Sequence, residues 1–260
     1  MTPTPLFSVL LILVLSATAM LGLAGLQRRR PLDPECCRKL LHMGSGLLAL
    51  SLPWLFQSAG PVLVLSAAAL LGLVAIKRFA ALRGLLGGVL DGVGRPSHGD
   101  LYFVAATGLL FLIAKGDPLL FALPMAILTF ADSAAALVGR RCGRHRFLAD
   151  GGTKTLEGSI AFFVTAFFSA LVGLQVFADR GSGATLLLAL ILALLLTLVE
   201  AVAGGGADNF FIPLTGWLLL EVYLERPASL LMAHFMTAAA ACATAMLLRG
   251  FAGRCPSGPG

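Results

Sequence analysis

The stretch FADSAAALVGRRCGRHRFLADGGTKTLEGS, residues 130–159, closes one apolar run, crosses a short polar connection and opens another. Asp132 lies inside the first apolar segment. Arg140, Arg141, Arg144, His145, Arg146 and Lys154 follow among glycines, and Glu157 begins the next run. A chain that is 58% hydrophobic and 12% charged has few charges to distribute. This density in one connection points to a site for an anion carrying several negative charges. Lipid cannot satisfy free backbone groups, and no alternation suited to a barrel is present, so the flanking apolar runs read as membrane helices.

The same pattern extends along the whole chain. A mean hydropathy of +0.93 places it in the helical integral-membrane class. Its 260 residues leave no room for a sizeable soluble domain, so the expectation is an all-α polytopic bundle forming a single domain over 1–260. Apolar runs lie near 6–26, 40–58, 61–76, 101–115, 118–138, 158–177, 185–203, 210–224 and 229–248. The third, fourth and eighth are short for a bilayer, which gives seven to nine spans. No Lys or Arg precedes the first run, so it reads as a retained span and not as a cleaved signal. With the N-terminus outside and the C-terminus cytosolic, sixteen of the nineteen Lys and Arg fall on the inner side. Only Lys115, Arg180 and Arg226 fall outside, as the positive-inside rule requires. The expected setting is a bacterial cytoplasmic (inner) membrane.

The net charge of +6 follows from those inner loops. No basic surface is interleaved with aromatics, so nucleic acid is not indicated as a partner. Five cysteines without CxxC spacing and four scattered histidines carry no zinc, redox or disulfide pattern.

Three other polar groups stand out. In RKLLHMGSG (38–46), Arg38, His42 and Gly46 share one helix face. Arg38 and Lys39 also suit headgroup anchoring, whereas His42, one turn deeper, belongs in a bundle interior or aqueous cavity. Residues 94–100, GRPSHGD, read as an ordinary loop. In EAVAGGGADNFFIP (200–213) a glycine triplet breaks the helix beside Glu200. Asp208 and Asn209 then offer hard oxygens of the kind magnesium prefers, or serve as caps of a helix hairpin.

Within the opening stretch, Asp132 sits about two turns before Gly139, toward the cytosolic end of its helix. A carboxylate facing lipid at mid-membrane costs on the order of 2–3 kcal/mol, so a metal or basic partner is expected. Gly139 and Gly143 let backbone approach a ligand closely. Asp150 to Thr155 lead into a helix whose first turn holds Glu157, and phosphate is favoured at such an N-terminus. Lysine adds a point charge there and arginine a forked donor. Thr153 precedes Lys154 where a Walker A loop needs glycine, so any phosphate cradle is of another kind.

The segments RKLLHMGSG (38–46), ADSAAALVGRRCGRH (131–145), GGTKTLEGSIAFF (151–163) and GADNFFIPL (206–214) together resemble the CTP-dependent lipid kinases. That family includes dolichol kinase, phytol kinase and the fungal diacylglycerol kinase, and the likeness spans about residues 38–214. The resemblance implies transfer of the CTP γ-phosphate, with Mg2+, to a membrane isoprenoid alcohol at the cytosolic face, with diacylglycerol as the second choice. It implies Asp132, Asp208 and Asn209 as metal ligands. Arg140, Arg144, Gly151, Gly152, Lys154 and Thr155 become the nucleotide-binding set. Asp132 and His42 compete as the base, Lys154 is catalytic, and Glu157 binds metal or orients Lys154. Arg38, Lys39 and Glu200 fall to the substrate headgroup. KTLEG is also similar to CDP-diacylglycerol synthases, but their C-terminal signature is missing, which favours a kinase. A transporter for an anionic solute suits broken helices as well. No inverted repeat accompanies them, and the basic groups cluster on one side.

Overall fold

The computed structural model describes residues 4–30, 32–90, 98–149 and 152–252, with side chains described to residue 244. Each of the nine apolar runs is helical. The first is α1 (Pro5–Arg29); the second divides into α2 (Pro34–Leu50) and the single turn α3 (Leu52–Leu55). Pro53 causes that division, since its ring removes an amide the continuing helix would need. The third run is α4 (Ala59–Arg78) and is followed by α5 (Ala80–Leu90), α6 (Gly99–Ile113) and α7 (Pro118–Cys142). Two strands, β1 (Arg146–Ala149) and β2 (Gly152–Thr155), precede α8 (Leu156–Phe177), α9 (Ser182–Val202), α10 (Asp208–Tyr223) and α11 (Ala228–Ala252).

Among the described residues, α1, α4, α7, α8 and α9 are long and apolar enough to cross a membrane. They do not share the interior equally. The apolar stretch of α7 is 67% buried, against 17% for α1 and for α4. α7 starts where Asp117 accepts the amides of Leu119 and Leu120, with Pro118 in the first turn, where its missing amide costs nothing. It packs against α2, α8 and α10, and α9 closes the far side of α8. Phe121, Met125 and Leu128 of α7, Phe162 of α8 and Leu188, Leu192 and Leu196 of α9 form its fully buried heart. Small residues set the close approaches. A side chain at Gly46 would strike Thr129, so α2 can lie tight against α7 only with glycine there.

Two features depart from the expectations above. The connection after α4 contains α5, whose eleven residues are apolar apart from Arg83 but too few to span a bilayer. It packs on α1, α2 and α4, and Arg28 and Gln27 of α1 reach its carbonyls at Leu85 and Gly88. The basic connection after α7 is not merely a loop: β1 and β2 pair antiparallel, with Phe147 opposite Lys154 and Arg146 opposite Thr155. Gly139 and Gly143 serve this hairpin. A side chain at either would collide with Thr155, so they admit β2 and the start of α8 against the end of α7, and not a ligand.

Candidate active site

The first polar cluster lies between α2 and α7. Asp33 starts α2 by accepting the Glu35 amide at 3.1 Å. The helix then turns Lys39 to its buried side, where Nζ meets Asp132 Oδ2 at 2.5 Å. Both residues are almost enclosed, at 4% and 7% exposure. An unpaired charge there would be prohibitive, so each is the condition for the other. One turn on, His42 Nε2 lies 3.5 Å from both Asp132 Oδ2 and the Leu128 carbonyl. Both neighbours are acceptors, which assigns the proton to Nε2 and leaves Nδ1 as the acceptor. Phe103 of α6 braces the imidazole edge-on, with ring centres 5.3 Å apart.

The second cluster hangs on the hairpin. Strand alternation turns Lys154 away from Thr153 and Thr155. Its Nζ donates to Glu200 Oε1 at 2.7 Å and to the Glu200 carbonyl, with Asp208 Oδ2 at 3.7 Å. Glu200 occupies the last turn of α9. The chain then reverses through Gly205 and Gly206, at φ +62° and +92°, a left-handed geometry that glycine adopts without cost. Asp208 thereby becomes the first residue of α10, where the amide dipoles favour a carboxylate. Asn209 follows, donating Nδ2 to the Gly99 carbonyl of α6 at 2.9 Å. Two buried oxygens here, Glu200 Oε2 and Asn209 Oδ1, have no hydrogen-bond partner among the described residues.

The clusters adjoin. Asp208 feels the charges of Asp132, Lys154 and Lys39. Asp132, Lys154 and Asp208 therefore belong to one neighbourhood at the end of the bundle that carries the basic hairpin.

Other predicted residues go elsewhere. Arg38 grips Glu35 of its own helix at 2.6 and 3.1 Å. Burial pushes the Glu35 carboxyl up, but the bond and charge of Arg38 outweigh this and hold it below its ordinary value. Arg140 pairs with Asp33 at 2.6 Å on an exposed surface, and Arg144 is exposed as well. Glu157 does not orient Lys154. It accepts from His145, side chain at 2.8 Å and backbone at 3.3 Å, and so closes the base of the hairpin. Thr155 caps α8 by accepting the Gly158 amide at 3.1 Å, which commits its hydroxyl to structure. Gly152 opens β2, while Gly151 lies outside the described residues. Glu35 and Asp33 escaped the sequence reading. Their signal was the Asp-Pro-Glu start of a helix, acids in a first turn, which marks a cap before it marks a site.

No group of three His, Cys, Asp or Glu side chains is placed to hold a metal among the described residues. Magnesium does not need one. It is commonly bound through one or two carboxylates plus substrate phosphates and water. The open oxygen of Glu200, with Asp208 close to the same lysine, suits a cation that arrives with its nucleotide.

Charges buried in pairs at one end of an apolar bundle, with one lysine between two carboxylates, mark the polar centre of this apolar helical bundle. The chain's relatives are lipid kinases. A phytol kinase from Synechocystis sp. is 29% identical over 202 residues, covering 75% of this chain and 83% of that protein. A dolichol kinase from Saccharomyces cerevisiae is 39% identical over 94 residues, 35% of this chain but 17% of the yeast protein. The chain is a homologue of these enzymes and a phosphotransferase. No family model matches it, and no solved structure does.

Proposed function

We propose that this protein transfers the γ-phosphate of CTP to a membrane isoprenoid alcohol of the phytol, dolichol or polyprenol type. The observation that carries the reading is the meeting of Lys154 with two carboxylates, Glu200 and Asp208, within electrostatic reach of the Lys39–Asp132–His42 cluster. Phosphoryl transfer asks mainly for positioning and charge neutralisation, and this arrangement supplies both signs of charge. The names of the two relatives support a lipid alcohol as acceptor. The excess of Lys and Arg on the hairpin side supports a cytosolic placement of that face under the positive-inside rule.

In this reading Lys154 leaves Glu200 for the β- and γ-phosphates, and its departure frees both carboxylates. Asp208 and Glu200 would hold magnesium, which would supply neutralisation of the triphosphate charge. Of the two candidate bases, His42 lines an intramembrane cavity, while Asp132 sits behind it between the imidazole and Lys39. His42 Nδ1 takes the proton of the lipid hydroxyl as that oxygen bonds to the γ-phosphorus. The bond from phosphorus to the bridging oxygen breaks and CDP departs. Asp132 stabilises the imidazolium until the proton passes to solvent, the orienting role a carboxylate plays behind a catalytic histidine. Arg38 and the exposed Arg140 and Arg144 add positive potential along the approach.

The test is incubation of the purified protein with γ-labelled CTP, magnesium and a panel of lipid alcohols. Label in the lipid is expected, lost with EDTA and regained on adding magnesium. ATP should compete poorly. Label moving from α-labelled CTP to phosphatidate instead would make the protein a cytidylyltransferase and overturn the reading.

A further inference from the structure

A cavity of about 310 Å³ opens between α1, α2, α4 and α6, and Asn209 at the start of α10, the neighbour of the Asp208 that Lys154 approaches, borders it. Its volume falls at the lower end of the range for small-molecule sites. The two ends differ in chemistry. One is walled by Ile12, Leu48, Leu52 and Leu65 and is mainly apolar, with the Ser66 hydroxyl beside it. The other carries Arg38, His42, Asp100 and Asn209. Between Arg38 and Leu52 the wall runs some fourteen residues of helix, or roughly 20 Å at the rise of an α-helix. That depth is about two-thirds of a bilayer's hydrocarbon core.

The polar end holds unmet bonding capacity. The Gly99 carbonyl can only accept, so the Asn209 group facing it is the amide nitrogen, and Oδ1 is the acceptor left over. Asn209 is 5% exposed, and that oxygen has no partner among the described residues. Asp100 pairs with Lys77 at 3.0 Å through Oδ1, while its buried Oδ2 has no hydrogen-bond partner among the described residues. A buried acceptor at the head of an apolar slot calls for a donor that arrives with a hydrocarbon tail.

We propose that this cavity receives the lipid alcohol itself: the hydrocarbon chain lies between α1 and α4, and the hydroxyl rests between Asn209 Oδ1 and His42. The inference rests on the kinase reading for the identity of the occupant. It adds where that occupant lies and what measures its length. A slot of this length accepts the first units of a prenyl chain and becomes selective when narrowed. The half-buried Ala69 of α4 and the exposed Ala17 of α1 are small side chains on its wall, distant along their helices from the polar end.

The experiment has two arms. Ala69→Phe and Ala17→Phe should each lower kcat/KM for a long prenol by roughly tenfold or more, the scale of discrimination set by a filled apolar pocket. Transfer to a short prenol should stay within about twofold, which also shows that the variants fold. Equal effects on both prenols, or none, would overturn the proposal. In the second arm, wild-type protein without nucleotide is irradiated with a long prenol bearing a diazirine at its tail. Labelled peptides from α1 and α4, competed by unlabelled prenol, are expected. Label on the outward residues Phe168, Val172 and Val176 of α8, or competition by phosphatidylcholine equal to that by prenol, would overturn the cavity as the acceptor site. Cavity labelling without any phosphoryl transfer would leave the slot standing and remove the kinase reading. Transfer without cavity labelling would do the reverse.

Discussion

Two lysine–carboxylate pairs lie close together in this molecule and differ in what holds them. Lys39 and Asp132 project from the facing sides of two long helices, locked by the Gly46–Thr129 contact, and both are almost sealed from solvent. Lys154 comes from a four-residue strand and divides itself between Glu200 and Asp208, with its side chain 18% exposed. The first pair is framework that keeps His42 aimed. The second has a surplus of negative charge around one lysine and an open oxygen on Glu200, which on the proposed reading would be met by a phosphate and a cation together. Similar chemistry thus does different work according to the stiffness of the elements beneath it.

Breaking the looser pair should have the larger effect on turnover. Lys154→Ala is expected to lower kcat by a factor of about 10³, at the upper end of what a single charge-stabilising donor contributes. The protein should still elute as a folded species, because the buried Glu200 carboxyl, left without its lysine, can take up a proton and Asp208 keeps partial exposure. Activity near wild type would dissolve the distinction. Asp132→Asn should cost about 10²-fold in kcat at every magnesium concentration. It should also destabilise the protein by about 3–5 kcal/mol, since Lys39 is left buried and unpaired. Joint replacement, Lys39→Met with Asp132→Leu, sharpens the point: stability should return, as apolar substitutes for buried ion pairs often allow, and activity should not. Full rescue of Asp132→Asn by excess metal would move Asp132 from the framework to the metal. The smallest effect belongs to the exposed pair. Arg140→Ala breaks its 2.6 Å contact with Asp33, yet should change thermal stability by less than about 1 kcal/mol because solvent screens both groups. A several-fold rise in KM for CTP with unchanged kcat would assign Arg140 to nucleotide capture.

Legibility in the sequence followed a simple division. Every apolar run became a helix because length and hydropathy are local properties, and the charges inside those runs could not be indifferent. Asp132, His42, Glu200 and Asp208 were conspicuous for that reason alone. Their partners were not. Lys39 is 93 residues from Asp132, and Lys154 is 46 from Glu200; nothing local ties them together. The basic connection misled in detail. Its six cations look equivalent as a string, but strand alternation sends Lys154 inward while Arg140 and Arg144 stay outside. Four-residue strands are too short for a period to emerge, and eleven mainly apolar residues after Phe79 were too few to be read as a span. Gly139 and Gly143 invited a ligand-binding interpretation, whereas contact with Thr155 uses up the space they leave.

Asp208 and Asn209 are successive residues in the opening turn of α10, yet they look in two directions. One meets the lysine of the hairpin; the other borders the hydrocarbon slot and is tied to α6 through Gly99. A single turn of helix is therefore the shared wall of a wet compartment and a dry one. On the proposed reading, an adjustment that seats an alcohol at Asn209 would be passed, one peptide bond away, to the carboxylate that meets the nucleotide. Such an interlock would let a catalyst at the water's edge stay idle until both guests are present, sparing the nucleotide from futile hydrolysis.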